Sequence, residues 1–260
     1  MKVLFIGDIV GKVGRTTLKG LLPNLVDRYK IDLVIANGEN MAGGFGITEK
    51  TADEVLGCGV NIVTSGNHIW DKKESIPYIA KKNRILRPVN YPPGVPGFGS
   101  IVHTISNGTK VGIINISGRV FMPALDCPFR VGEKEIEKVR ESAKVIIVDF
   151  HAEATSEKIA FGYFVDGKVS AVVGTHTHVQ TADEKILPNG TAYITDVGMT
   201  GPSVSVIGVE KEQIIDRFLH QMPMKFETAK GEGILSAVVI EINEETAKAT
   251  AIQRLQLKYP

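Results

Sequence analysis

The chain has 260 residues, 43% hydrophobic and 23% charged, with 30 basic against 29 acidic side chains and a formal net charge of +1. That balance excludes a strongly basic body binding long nucleic acid through many phosphates, and equally a highly charged disordered chain. Two cysteines, Cys58 and Cys127, exclude a disulfide framework and a cysteine-based zinc knuckle. No apolar run reaches the roughly 18–20 residues of a membrane span. The opening run, interrupted by Asp8, reads as a first strand and not a signal peptide. A cytoplasmic globular protein with a single domain over residues 1–260 is the expectation.

In chain order, Val3–Ile6 is a short continuous apolar run, the pattern of a strand buried on both faces. Arg15–Tyr29 then places Leu18, Leu21, Leu22, Leu25 and Val26 on one helical face, with Pro23 a candidate break. Leu33–Ala36 is a second buried strand, and Thr51–Leu56 a helix opened by the capping-box pattern Thr51-Ala-Asp-Glu54. Asn61–Thr64 is a third strand, and the Pro- and Gly-rich Pro88–Gly99 a loop. Ile101–Ser106 and Lys110–Ile116 flank Asn107-Gly108 as a hairpin. Glu133–Lys144 is charged and amphipathic, followed by buried strands at Val145–Val148 and Ala171–Val173. Pro188-Asn189-Gly190 is a turn before another extended run, and Ile234–Ile242 and Lys248–Leu257 read as paired strands. This alternation predicts an α/β fold, a layered sandwich of mixed β-sheets flanked by helices.

Five of the apolar runs end in polar clusters: Asp8; Asn37-Gly-Glu39-Asn40; Asn67-His68; Asp149-Phe-His151; and His176-Thr-His178. Carboxyl ends of strands converge on the ligand crevice of such sheets. Any one of these residues alone is more simply a turn former or a satisfied core side chain. Four of only six histidines at strand ends, beside Asp8, Glu39, Asn40 and Asn67, are hard to obtain by accident. His176 and His178, two apart in extended backbone, would project to the same side. His103 and His220 read as structural. Carboxylate, carboxamide and imidazole donors without thiolate suit divalent cations, and these candidates are too many for one tetrahedral zinc. They fit two ions sharing a carboxylate, a clamp for displacement at phosphorus.

Gly7-Asp-Ile-Val-Gly11, Asn37-Gly-Glu-Asn40, Ser65-Gly-Asn-His68, Asp149-Phe-His-Ala-Glu153, Gly174–Thr181 and Thr195–Pro202 together resemble the YmdB-like branch of the calcineurin-like metallophosphoesterases. The broad family's first-motif histidine is missing at Val10, and its usual carboxylate after the Asn-His pair is replaced by Ile69. His68 is therefore left without an evident orienting partner. The resemblance implies one metal on Asp8, Glu39, Asn40 and His178 and a second on Glu39, Asn67, His151 and His176. It implies two divalent ions, iron or manganese, with a bridging water or hydroxide as nucleophile and His68 as general acid. The implied substrate is a small 2′,3′-cyclic nucleotide, opened to a 3′-nucleotide. Gly43, Gly44 and Phe45 are candidates for substrate contact, with Arg119 and the Gly198–Pro202 segment at the rim, while Trp70 reads as packing. No membrane partner and no extended nucleic-acid track are expected, and the C-terminal strand pair either joins copies into a homo-oligomer or closes the sheet. The alternatives are a nuclease or phosphomonoesterase using the same site, or a nucleotide-binding regulatory protein.

Overall fold

A computed structural model describes residues 1–260. The elements follow the chain as β1 (Lys2–Ile6), β2 (Asp8–Ile9), α1 (Gly11–Tyr29), β3 (Leu33–Asn37), α2 (Glu49–Gly57) and β4 (Ile62–Thr64). Next come α3 (Ile76–Ile79), β5 (Ser100–Thr104), β6 (Lys110–Ser117), α4 (Pro128–Arg140), β7 (Val145–His151), α5 (Thr155–Phe164) and β8 (Ala171–Thr175). The chain closes with β9 (Lys185–Ile186), β10 (Ala192–Ile194), β11 (Met199–Pro202), α6 (Lys211–His220), β12 (Gly233–Ile242) and β13 (Ala249–Tyr259).

Two mixed sheets result. One runs β2-β11-β12-β1-β3-β4 with β13 also on β12; the other runs β5-β6-β7-β8-β10-β9. Alternation along each strand sorts the side chains into layers. Val3, Phe5, Leu33 and Ile35 meet Ile113, Ile147, Val173 and Ile194 in the core between the sheets. Leu4, Ile6 and Val34 point the other way, onto Leu18, Leu22 and Leu25 of α1 and Val55 of α2. On the far side Ile114, Ile146, Val148 and Phe150 pack on Ile136 and Val139 of α4 and Phe161 of α5. Helix, sheet, sheet, helix is therefore the layer order. Both faces of the central strands are covered, which is why they read as unbroken apolar runs.

The structure adjusts several local expectations. Pro23 lies inside α1 without ending it, on the exposed side of the helix. The capping box is Thr48 with Thr51 at the third helical position, so α2 starts two residues before the expected Thr51. α4 spans Pro128–Arg140 and begins five residues before Glu133. The segment Gly198–Pro202 is not a rim: Met199–Pro202 forms buried β11, pairing Met199 with Asp8 and Gly201 with Ile234. β13 lies antiparallel along the whole of β12.

Candidate metal centre

The two sheets bring the predicted strand ends to one place. Asp8 opens β2, its N–H donating to the Gly198 carbonyl at 3.0 Å. Asn37 closes β3 and its side-chain oxygen accepts from the Glu39 N–H, shaping the turn that presents Glu39 and Asn40. Asn67 and His68 follow β4, His151 closes β7, and His176 and His178 follow β8. The last two are not in extended backbone. Both have positive φ, 103° and 65°, and this turn, not strand alternation, aims them inward. Buried Asp196 holds that turn by accepting from the Thr177 N–H at 3.0 Å and hydroxyl at 2.7 Å, and it pairs with buried Lys158 at 2.7 Å.

Around His151 the donors converge. Its Nε2 lies 3.1 Å from Glu39 Oε1, 3.0 Å from Asn67 Oδ1 and 3.1 Å from His176 Nδ1. The partners on the far side of each ring fix which nitrogen carries the proton. Thr175 donates its hydroxyl to Asp149 at 2.7 Å, so its oxygen accepts from His151 Nδ1 at 2.9 Å. His176 Nε2 faces Glu153 Oε2 at 3.1 Å. Both rings therefore turn lone pairs toward each other and toward two oxygens. Such a set is repulsive unless a cation or an extra proton sits among them. Glu39, His151 and His176 alone bring their ligand atoms within 4.8 Å of one another, a geometry that can hold a divalent ion.

A second group adjoins it. His178 Nδ1 donates to the Ile207 carbonyl at 2.8 Å, which leaves Nε2 facing Asn40 Nδ2 at 3.1 Å and Asp8 Oδ1 at 3.9 Å. Asp8 Oδ1 and Asn40 Oδ1 are buried without a hydrogen-bond partner. Orphaned buried oxygens are costly, and a half-turn of the Asn40 amide would set its oxygen beside His178 Nε2. These residues fit a divalent cation, with Glu39 between the two groups.

The charges respond to this crowding. Burial alone would lower His151, but the Glu39 and Asp8 carboxylates outweigh it and push the imidazole up to about 9. Burial likewise raises Glu39, yet His151 and the His68 backbone N–H hold it down at about 2. Burial lifts Asp8 to about 6 against the pull of His178. Asp149 rises to about 7, mainly by burial. His176 drops to about 3 through burial and the neighbouring His151.

His68 stands apart from both groups. Its backbone N–H donates to Glu39 Oε2 at 3.1 Å, and its Nδ1 pairs with Asp71 Oδ2 at 2.7 Å. The missing orienting carboxylate is thus Asp71, three residues on, in the turn that follows β4. His68 lines a cleft of 280 Å³ together with Glu39, Asn40, His176, His178, Gly44 and Phe45. The Phe45 and His68 ring centroids are 5.1 Å apart. Gly43 and Arg119 are not in the lining. Arg119 is exposed where the chain leaves β6 toward α4, its N–H tied to the carboxylate of Glu157 on α5 at 3.2 Å. Trp70 packs edge-on against Tyr91 at 6.0 Å, as expected of a packing residue. Asp71, Glu153 and Phe226 were not singled out as site residues from the sequence. Glu153 had a signal, two residues beyond His151 in the Asp149–Glu153 motif; Phe226 had none.

The model of the YmdB-like protein family matches residues 4–255. The chain belongs to that family. It is 49% identical over 255 residues to the 2′,3′-cyclic-nucleotide 2′-phosphodiesterase of Bacillus subtilis, covering 98% of this chain and 96% of that protein. A crystal structure of a hypothetical protein from Thermus thermophilus superposes with a TM-score of 0.94 at 42% identity, with both chains fully covered. A structure described as a novel phosphatase of Mycoplasma pneumoniae gives 0.94 at 38% identity, covering all of this chain and 94% of that one. The sequence-based assignment to a layered α/β metallophosphoesterase, a hydrolase of phosphoric diesters, is borne out. No helix is long and apolar enough to cross a membrane.

Proposed function

We propose that residues 1–260 act as one domain that hydrolyses 2′,3′-cyclic nucleotides to 3′-nucleotides at a dinuclear centre of iron or manganese. One ion is assigned to Asp8, Glu39, Asn40 and His178, and the other to Glu39, Asn67, His151 and His176. The observation that carries the reading is the convergence of Glu39 Oε1, Asn67 Oδ1 and His176 Nδ1 on His151 Nε2, all at 3.0–3.1 Å. Bound there, two divalent cations supply Lewis acidity at phosphoryl oxygens and lower the pKa of water. The B. subtilis relative's name supports the choice of ester.

The chain's own residues account for the rest. Glu39 stays ionised because His151 and the His68 N–H stabilise its carboxylate. Asp71 holds His68 by Nδ1, which leaves Nε2 free to face the cleft. In that position the imidazolium form gives its Nε2 proton to O2′ as the P–O2′ bond breaks and water's oxygen bonds to phosphorus, the proton shed by that water passing to solvent. The 2′-hydroxyl stays on the ribose and the phosphate stays on O3′. Phe45, beside His68, flanks the nucleoside.

The test combines elemental analysis of metal-loaded protein with product identification from 2′,3′-cAMP. Two ions per chain and 3′-AMP are expected, with activity lost on chelation. A 2′-AMP product overturns the regiochemistry. Loaded protein that leaves the cyclic nucleotide intact overturns the enzymatic reading.

A further inference from the structure

The cleft does not stop at the metal centre. It continues past Phe45 into a second groove of 450 Å³, whose walls include Phe45, Ile207, Val209, Ile214 and Phe226 and whose only charged lining residue is Arg217. Phe45, Ile207, Val209 and Phe226 line both spaces. The shared wall is also tied to the ligands, because the Ile207 carbonyl accepts from His178 Nδ1 at 2.8 Å.

Arg217 has no partner of its own. On α6 the neighbouring charges pair among themselves, Lys211 with Glu212 at 3.6 Å and Asp216 with His220 at 2.7 Å. An unpaired guanidinium at the edge of an apolar groove is a bidentate donor set suited to phosphate. The groove itself offers aromatic and aliphatic walls and no carboxylate, and Phe45 is 39% exposed. Such walls accept the face of a base and not its hydrogen-bonding edge.

A 2′,3′-cyclic mononucleotide has only the phosphate that the metal centre consumes. A second phosphate, on the far side of the base, exists only when O5′ is esterified. Building on the proposed hydrolysis, we infer that the groove seats a nucleobase and Arg217 binds the 5′-side phosphodiester, so that the preferred substrate is a short oligoribonucleotide ending in a 2′,3′-cyclic phosphate. A single phosphate contact agrees with a net charge of +1 and the absence of an extended basic body.

The experiment compares kcat/KM for 2′,3′-cAMP with that for the dinucleotide ApA bearing the same cyclic end. Calorimetric binding of their products, 3′-AMP and ApA 3′-phosphate, to metal-loaded protein gives a readout independent of turnover. The dinucleotide is expected to be favoured by roughly ten-fold or more, the worth of one charge-assisted contact. Arg217→Ala should collapse that ratio toward one in both measurements, and Arg217→Lys should restore part of it. Arg217 is on a helix with no buried residue, so the variant's melting temperature is expected to match wild type. No dinucleotide preference in the wild type, or equal losses on both ligands in Arg217→Ala, overturns the inference. If the wild type opens neither substrate, the parent reading has failed; if it opens 2′,3′-cAMP without preference, only this inference has.

Discussion

Gly66 is where the fit of the site to its ligands can be tested most directly. It has no side chain because the His151 ring occupies the place where one would go. A Cβ built on Gly66 would lie 2.1 Å from both Cδ2 and Nε2 of that ring, whereas ordinary contact begins at 3.4 Å. In Gly66→Ala the imidazole must therefore retreat by about 1.3 Å, if the backbone holds. Metal–ligand distances tolerate only about 0.2 Å, so the expected shift is several times what coordination allows. Overpacking of this kind also costs about 1–3 kcal/mol of stability. The variant should fold, melt several degrees lower, and lose the ion assigned to His151 while the Asp8 group can still load. Elemental analysis after gel filtration, paired with a thermal melt, reads both effects. Wild-type metal stoichiometry in a folded Gly66→Ala protein would refute the assignment of His151 Nε2 as a ligand.

Metal uptake should release protons and tighten as pH rises. The metal-free His151 is pushed up to about 9, so near pH 7 it holds a proton that the cation must displace, and below about 6 Asp8 adds another. Calorimetry in buffers of different ionisation enthalpy checks this, and an affinity flat between pH 6 and 8 counts against it. Asp71→Asn should lower kcat by roughly ten- to hundred-fold, as loss of an orienting partner does, with metal content unchanged. His68→Ala should lower it by about 10²–10⁴-fold, and metal loss in either variant would make His68 a ligand instead. Lys158→Met leaves buried Asp196 unpaired, at a cost of about 3–5 kcal/mol in denaturant unfolding. A change below about 1 kcal/mol would mean that the Thr177 donors and the Gly198 N–H, which reaches Asp196 Oδ1 at 2.8 Å, satisfy Asp196 without the lysine.

The layers were legible because β1, β3, β6, β7 and β8 are covered on both faces and announce it as apolar runs. The donors were legible because each follows such a run. What escaped depended on contacts between distant residues. β2 and β11 are two and four residues long and exist because Asp8 and Met199 pair, which no local pattern records. α5 carries Phe161, Tyr163 and Phe164 in quick succession, so its apolar side does not stand out at helical spacing. Spacing alone gave His176 and His178 a common direction, but the backbone that produces it is a positive-φ turn held by Asp196. Arg217 and Phe226 reach the groove from segments that contain no motif.

The pairing of Asp8 with Met199 also bears on how the protein is made. The first of the assigned ligands to leave the ribosome is held in place by one of the last strands, and Asp8 awaits both that strand and His178. At roughly 5–20 residues per second, Asp8 is exposed for about 10–40 s before its neighbours exist. Until then the nascent chain has carboxylates and imidazoles but no assembled cage, so the proposed centre can fill only once the chain through β11 has emerged.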